Sequence, residues 1–358
     1  MGDAKMEDFL PPYMEGNAVV RAIRDTWSSF SERREALGLS NPGTVENIAR
    51  EVQKDVFLTN YMFTGLRADW TRPLSVSPLF QYTHSFAMGS PGTPPYGFST
   101  IFGTPKVFMQ ANFDNDGQLS AQGNYRWTNA FITKLNAQMA PGPGQAMIQV
   151  NNDFTGKDFT ASLKSINPSM IEGGLTGIFI GSYLQSITPS LAIGLEAMWQ
   201  RAALNAGPES MLSYCAKYKG SGWIASAQIQ AQGAVSASYW RRLTEKVEAG
   251  VDLNLQFAPG LGGGGLMGNG SRKEGTATAG AKYDFRTSTF KAQLDSSGRL
   301  SCLVEKRVLP PVQITFAGEM DHFKQQAKVG LAVSIETAPE ELMNVAQSSS
   351  ASAPSVPF

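Results

Sequence analysis

Residues 326–335, QAKVGLAVSI, give the clearest indication of the fold, because apolar side chains alternate with polar or small ones along this stretch. Successive side chains of a β-strand point to opposite faces, so the alternation separates two surfaces. One surface carries Val329, Leu331, Val333 and Ile335, and the other carries Lys328, Gly330, Ala332 and Ser334. A half-buried strand of a soluble sheet looks the same, so the fold depends on whether the pattern repeats.

The alternation repeats from residue 63 to residue 335, most clearly in 191–199, 223–229, 247–257, 277–285 and 312–320. The apolar register of these segments carries no charge, as a lipid-facing surface requires, since a Lys or Arg at mid-bilayer costs about 2–4 kcal/mol. The other register is rich in Gln, Asn, Ser and Thr, which suits a wet interior. Turn residues recur every ten or so positions, so the sequence predicts an all-β transmembrane barrel of about nineteen strands.

Composition excludes several classes of protein. The chain has 358 residues with 30 basic and 30 acidic side chains, and this balance argues against a nucleic-acid partner. No run approaches the ~20 apolar residues of a membrane-spanning helix. The first residues resemble neither a secretory signal nor a transit peptide, so we expect synthesis in the cytosol without secretion. Cys215 and Cys302 are therefore expected to be free thiols.

Three regions follow from these patterns. Residues 1–62 are predicted to be a leader followed by amphipathic helices, and residues 63–336 the barrel. Residues 337–358 read as a short helix and a disordered tail. The first amphipathic stripe begins at Val19, and the second occupies 44–57, with Thr44 as its cap. The second stripe consists of Val45, Ile48, Val52 and Val56.

The sequence offers little support for an enzyme or for a bound cofactor. Its two histidines, His84 and His322, cannot form the usual zinc cluster, and no nucleophile elbow is present. Neither cysteine has a neighbouring base. The glycine-rich stretch 259–272 lacks the Gly-Lys-Ser/Thr ending of a phosphate-binding loop. We therefore predict no catalytic residue, no metal and no cofactor.

The polar register carries a series of carboxylates that face the predicted lumen. These are Asp69, Asp114, Glu196, Glu248, Asp252, Asp284, Glu305, Glu319 and Glu336. One interpretation is that they pair with lumenal bases such as Arg67 and Lys282. Alternatively, they line a route for cationic cargo, with contacts of only about 1 kcal/mol each in a water-filled pore. Such weak contacts let a cargo enter and leave.

Several stretches resemble the channel-forming subunit of the translocase of the mitochondrial outer membrane, most closely its fungal members. They are 64–69 TGLRAD, 113–116 FDND, 184–189 LQSITP, 280–283 GAKY, 294–298 LDSSG, 305–310 EKRVLP and 318–324 GEMDHFK. The last strand also resembles the sorting signal of that family, polar-x-Gly-x-x-hydrophobic-x-hydrophobic. Lys328, Gly330, Val333 and Ile335 meet this pattern.

The resemblance implies a mitochondrial porin-like barrel in the outer membrane, with nineteen strands and its first and last strands parallel. It also implies that the helix at about 44–57 lies inside the pore. Acidic patches on the inner wall would receive basic targeting presequences. The matching positions are Asp69, Asp114, Asp116, Glu305 and Glu336.

The resemblance also implies partners: precursor proteins with basic presequences, a single-span receptor subunit, small single-helix subunits, further copies of the chain and membrane lipid. The predicted function is a protein-conducting channel for unfolded mitochondrial precursors. Two alternatives stay open from the residues alone. One is a metabolite channel like the voltage-dependent anion channel, which favours anions and would therefore require a basic lumen. The other is a soluble all-β scaffold.

Overall fold

The chain forms one closed sheet of nineteen strands, as predicted. The structure is a computed structural model that describes residues 37–59, 61–90, 92–142, 146–169, 175–201, 207–230, 233–258 and 272–337. The predicted leader and first amphipathic helix, most of the glycine-rich stretch, and the predicted C-terminal helix and tail lie outside these ranges. No helix within them is long and apolar enough to cross a membrane.

The strands run in chain order around the barrel. They are β1 Gly65–Val76, β2 Leu79–Met88, β3 Tyr96–Gly103, β4 Val107–Asp114, β5 Leu119–Arg126, β6 Phe131–Met139, β7 Ala146–Thr155, β8 Phe159–Ser169, β9 Thr176–Ser186, β10 Leu191–Arg201, β11 Glu209–Lys219, β12 Trp223–Gln230, β13 Ala234–Thr244, β14 Val247–Ala258, β15 Arg272–Asp284, β16 Ser288–Asp295, β17 Arg299–Leu309, β18 Val312–Asp321 and β19 Gln326–Glu336. Sequence neighbours pair antiparallel.

The barrel closes through a parallel pair between β1 and β19, which we call the seam. Gly65 lies opposite Gly330 there, and Asp69 lies opposite Ser334. An odd number of alternating strands leaves its first and last members pointing the same way, so closure requires one parallel pair. Closure gives every strand two neighbours, which removes the unpaired edges that lipid cannot satisfy. The parallel seam that the resemblance implied is confirmed.

The two ends of the barrel differ in the length of their connections. Odd strands join the next even strand through two to four residues, at an end that we call the turn end. The opposite end, called the loop end, has connections of three to 13 residues, and the longest joins β14 to β15. β19 finishes at the turn end, whereas β1 starts at the loop end.

The two faces of the wall follow the predicted alternation. On β14, Val251 is 47% exposed whereas its neighbour Asp252 is 8% exposed. Large apolar side chains on the outer register are exposed throughout the barrel, including Trp70, Phe257 and Phe316. In a membrane this outer surface meets hydrocarbon, and the polar register faces the lumen.

The predicted helix over 44–57 is interrupted in the structure. It comprises a 3₁₀ turn, Val45–Asn47, and a π-helical turn, Glu51–Val56. Thr44 precedes the first turn, but its side chain does not cap it; instead the Asn47 side chain donates to Thr44 Oγ1 at 3.0 Å. A helix this short gains little free energy from its own hydrogen bonds, so contacts with the barrel wall decide its conformation.

Candidate functional site

Residues 40–59, here called the strap, run along the inner wall from the turn end toward the loop end. At the turn end the Asn41 side chain donates to the carbonyl oxygens of Gly156 and Phe159, both at 2.9 Å. Further along, the Leu58 N–H donates to Gln293 Oε1 at 2.8 Å, near the loop end of β16. The strap therefore crosses strands β7 to β18 inside the lumen.

Apolar side chains hold the strap against the wall in three small clusters. In the first cluster, Val45 and Ile48 contact Leu184, Ala192 and Cys215. The second contains Val52, Val56, Phe57 and Trp240, and the third contains Leu58, Leu303 and Ala317. Two strand glycines permit this approach. A Cβ added to Gly250 would lie 3.1 Å from Val52, and one added to Gly280 would lie 2.8 Å from Phe57.

Ion pairs connect the polar side of the strap to the barrel wall. Lys164 Nζ lies 3.4 Å from Glu46 Oε1, and Lys217 Nζ lies 3.2 Å from Glu51 Oε1. On the wall beside the strap, Lys134 Nζ lies 2.9 Å from Asp153 Oδ2. These lysines are therefore neutralised by carboxylates at short range.

The wall on β1 to β4 carries two of the predicted acids in one row of paired residues. Asp114 lies opposite Gly97, Gly97 lies opposite Ser85, and Ser85 lies opposite Asp69. Three strand spacings separate the backbones of Asp69 and Asp114 by about 14 Å. A Cβ on Gly97 would lie 3.2 Å from Asp114 Oδ1, so this carboxylate leans along the row over Gly97 on β3.

The two acids of this row have different surroundings. Asp69 Oδ2 lies 3.0 Å from Arg67 Nε, so the alternative in which lumenal acids pair with Arg67 holds at this position. The Asp114 carboxylate makes no ion pair or hydrogen bond with any described side chain. Only the second acid therefore presents an uncompensated charge.

The other three predicted acids lie apart from the row. Glu305 stands on β17 between Thr289 and Thr315 and interacts electrostatically with Lys291. Glu336 ends β19 at the turn end, and Asp116 lies exposed in the β4–β5 connection at the loop end. The five acids thus form a series from one end of the barrel to the other rather than one cluster.

Sequence reasoning missed the charges that contact the strap. Glu46 and Glu51 belonged to the polar side of a predicted helix, and nothing in that pattern indicated which lysines they would meet. Alternation on β8 and β11 could have placed Lys164 and Lys217 on the lumenal register, but not opposite the strap. Such pairings join residues more than 100 positions apart.

The residues of the predicted sorting signal occupy both faces of β19. Gly330 faces inward, where a Cβ would lie 2.5 Å from the carbonyl oxygen of Phe63. Lys328 faces inward as well, 3.8 Å from Glu319. Val333 and Ile335 lie on the outer register. Gly330 therefore has a packing role at the seam, whatever its part in sorting.

No group of three or more His, Cys, Asp and Glu side chains is placed to hold a metal ion within the described ranges. Cys215, which is buried, and Cys302 are both free thiols. His84 lies on the outer face, stacked on Trp70 with ring centroids 5.5 Å apart, and its Nδ1 is 2.9 Å from the Tyr96 hydroxyl.

Comparison with known proteins relates this chain to one family along most of its length. Residues 41–330 match the family described as eukaryotic porin. The chain is 52% identical to the mitochondrial import receptor subunit tom40 of Neurospora crassa, covering 96% of this chain and 97% of that protein. It is 40% identical to TOM40 of Saccharomyces cerevisiae, covering 94% and 88%. The human TOM40 homolog is 27% identical, covering 83% and 79%.

Proposed function

We infer that this chain conducts precursor proteins into mitochondria, because it belongs to the eukaryotic porin family and, within it, to the family of mitochondrial import receptor subunits named TOM40. It is a barrel of the mitochondrial outer membrane and a member of the import complex, and its cargo is unfolded precursor protein. The relation to import receptor subunits over nearly the whole chain carries this conclusion. The chain acts as a passive channel, so directional transport depends on other components.

We propose that the acids Asp69, Asp114, Asp116, Glu305 and Glu336 guide basic presequences through the lumen. Their distribution from the loop end to the turn end supports this role, because a moving cation then meets one carboxylate after another. Each contact is worth about 1 kcal/mol in a wet pore, which keeps the cargo from being trapped.

Ion pairs beneath the strap reduce the basic character of the lumen that an anion-preferring metabolite channel would need. Lys134, Lys164 and Lys217 lie within 4 Å of carboxylates, so their positive charge is locally offset. Among the described residues, the side chains of Asp114 and Glu336 make no ion pair. Lys219 and Lys291 on the lumenal register also make no ion pair among the described residues, so the recordings described next decide the ion preference.

The test is single-channel recording of the full-length chain in planar bilayers with a basic amphipathic presequence peptide. The test variant combines Asp69→Asn, Asp114→Asn, Glu305→Gln and Glu336→Gln. A control variant removes the same charge at other lumenal acids through Glu209→Gln, Glu248→Gln, Asp295→Asn and Glu319→Gln. We expect both to form channels, with a larger loss of peptide block and cation preference in the test variant.

Three outcomes would contradict parts of this proposal. Equal losses in both variants would mean that total lumenal charge, rather than these positions, recruits the peptide. Unchanged block in the test variant would remove the acids from the route. An anion-preferring wild-type pore that ignores the peptide would favour the metabolite channel.

The finer assembly is a further part of the proposal: a second copy, a single-span receptor subunit and small single-helix subunits contact the outer face. The aromatic patch of Trp70, Tyr82, His84, Tyr96 and Phe98 beside the seam supports such contacts, because an imidazole suits a protein neighbour better than lipid tails. Phe86→Cys, at a residue whose ring lies 5.4 Å from that of Tyr96, should crosslink to one of these partners in mitochondria more strongly than Phe154→Cys on β7. Equal crosslinking would contradict the assignment.

A further inference from the structure

We propose that a cavity between the strap and the barrel wall is a binding site for one arginine side chain of the cargo, separate from the acids described above. This inference rests on the proposed function, since it assumes a basic peptide in the lumen. The cavity, here called the strap cavity, has a volume of about 320 Å³. That lies at the lower end of the ~300–1,000 Å³ range of ligand pockets, so it has room for a side chain but not for a folded segment.

The charged lining of the strap cavity favours a cation. Glu46 from the strap, Glu196 from β10 and Asp252 from β14 supply three carboxylates, and Lys164 is the one cationic residue in the lining. Lys164 lies 3.4 Å from Glu46 and interacts electrostatically with Glu196. Formally, two negative charges remain uncompensated within the cavity.

Hydrogen-bonding groups in the lining indicate what kind of cation fits. Asn151 is 4% exposed, and its Nδ2 donates to Glu46 Oε2 at 3.3 Å, so its Oδ1 is turned away from that bond. This Oδ1 is buried and has no hydrogen-bond partner, and neither does the buried Ser162 Oγ. A buried amide oxygen without a donor costs about 1–3 kcal/mol, so the site favours a ligand that brings N–H groups.

Guanidinium matches this arrangement better than ammonium. It carries five N–H donors in a fixed planar fork, which can serve a carboxylate and a neighbouring amide oxygen together. The apolar part of the lining, Val45, Ile48 and Ile180, suits the methylene stem of arginine. The rim is accessible, because the Glu46 side chain at the edge is 54% exposed.

The experiment measures dwell times of peptide blocks in the full-length channel. The probe is a basic amphipathic peptide with arginine. Two further forms carry lysine or neutral citrulline in place of the arginine. The test variant is Glu196→Gln with Asp252→Asn, and the charge-matched control is Glu209→Gln with Glu319→Gln. Both controls are lumenal acids outside the strap cavity.

The arginine peptide should show a long-lived block in the wild-type channel that is about tenfold shorter in the test variant, the effect of one charge-assisted hydrogen bond. Lysine should give a shorter block than arginine, and citrulline should lack the long-lived component. Lys164→Gln removes the competing cation and should lengthen the arginine block, which keeps the test informative if the double variant folds poorly.

Other outcomes would overturn the inference. Equal dwell times in the test and control variants would do so, as would identical blocks by arginine and lysine peptides. A shorter arginine block in Lys164→Gln would also contradict it. If the wild-type channel showed no block by any basic peptide, the proposed function itself would fail together with this site.

Discussion

The wall beneath the strap and the wall on β1 to β4 carry lumenal charges in different ways. Beside the strap, Asp153 is 4% exposed and lies 2.9 Å from Lys134. On the other wall, Asp114 makes no ion pair with any described residue. A buried charge must be compensated because desolvation is expensive, whereas a wetted charge needs no partner. The ion pairs beside the strap and the unpaired Asp114 on the open wall follow this rule, whereas Glu196 and Asp252 in the strap cavity carry the uncompensated charge that a cationic ligand would meet.

Glycines that pack against the strap differ from a glycine on the outer register of the barrel. Gly250, Gly280 and Gly330 each lie against the strap or the chain that continues from it to β1. A Cβ on Gly123, on the outer register of β5, would meet nothing within 4 Å. Glycine is required where backbone approaches closely and is incidental where the surface is open.

The largest effect is expected from Gly330→Ala. Its Cβ would lie 2.5 Å from the Phe63 carbonyl oxygen, a backbone atom that cannot move without shifting the start of β1. We expect a loss above about 3 kcal/mol in the free energy of unfolding, beyond ordinary overpacking. The measurement is thermal unfolding of barrels refolded in detergent, where no sorting machinery acts.

Gly123→Ala is the matched control for this prediction. It adds the same methyl group on the outer register of β5, where nothing lies within 4 Å, and we expect a change within about 0.5–1 kcal/mol, toward stability. If Gly330→Ala barrels unfolded at the wild-type temperature, the packing role would be refuted and only a sorting role would remain for this glycine.

A smaller effect is expected from the same chemical change at one acid of each wall. Asp153→Asn leaves Lys134 without its counter-ion beside the strap and should cost about 2–3 kcal/mol. Asp114→Asn should stay within about 0.5 kcal/mol, as for other exposed substitutions. Thermal unfolding measures both, and reversal potentials should show that only Asp114→Asn lowers cation preference without loss of stability. Equal destabilisation by Asp153→Asn and Asp114→Asn would contradict the difference between the two walls.

Strand alternation was sufficient to predict the barrel and the face of most acids. Asp69, Asp114 and Glu305 lie on the inner register because a period of two leaves little freedom once the outer register is apolar. The same reasoning could not say that Asp69 is paired with Arg67, since which rotamers meet depends on neighbouring strands. It also predicted a helix over 44–57 where two separate turns occur.

The amino-acid pattern was enough to predict the class of fold, the approximate number of strands, the two faces of the wall and the family. These are consequences of local periodicity and short motifs, which need no knowledge of distant contacts. The part of the wall that the strap covers, the lysines that it neutralises and the position of the strap cavity follow from long-range contacts in the folded barrel. These features join residues more than 100 positions apart, and their energies depend on burial that arises only when the barrel closes around the strap.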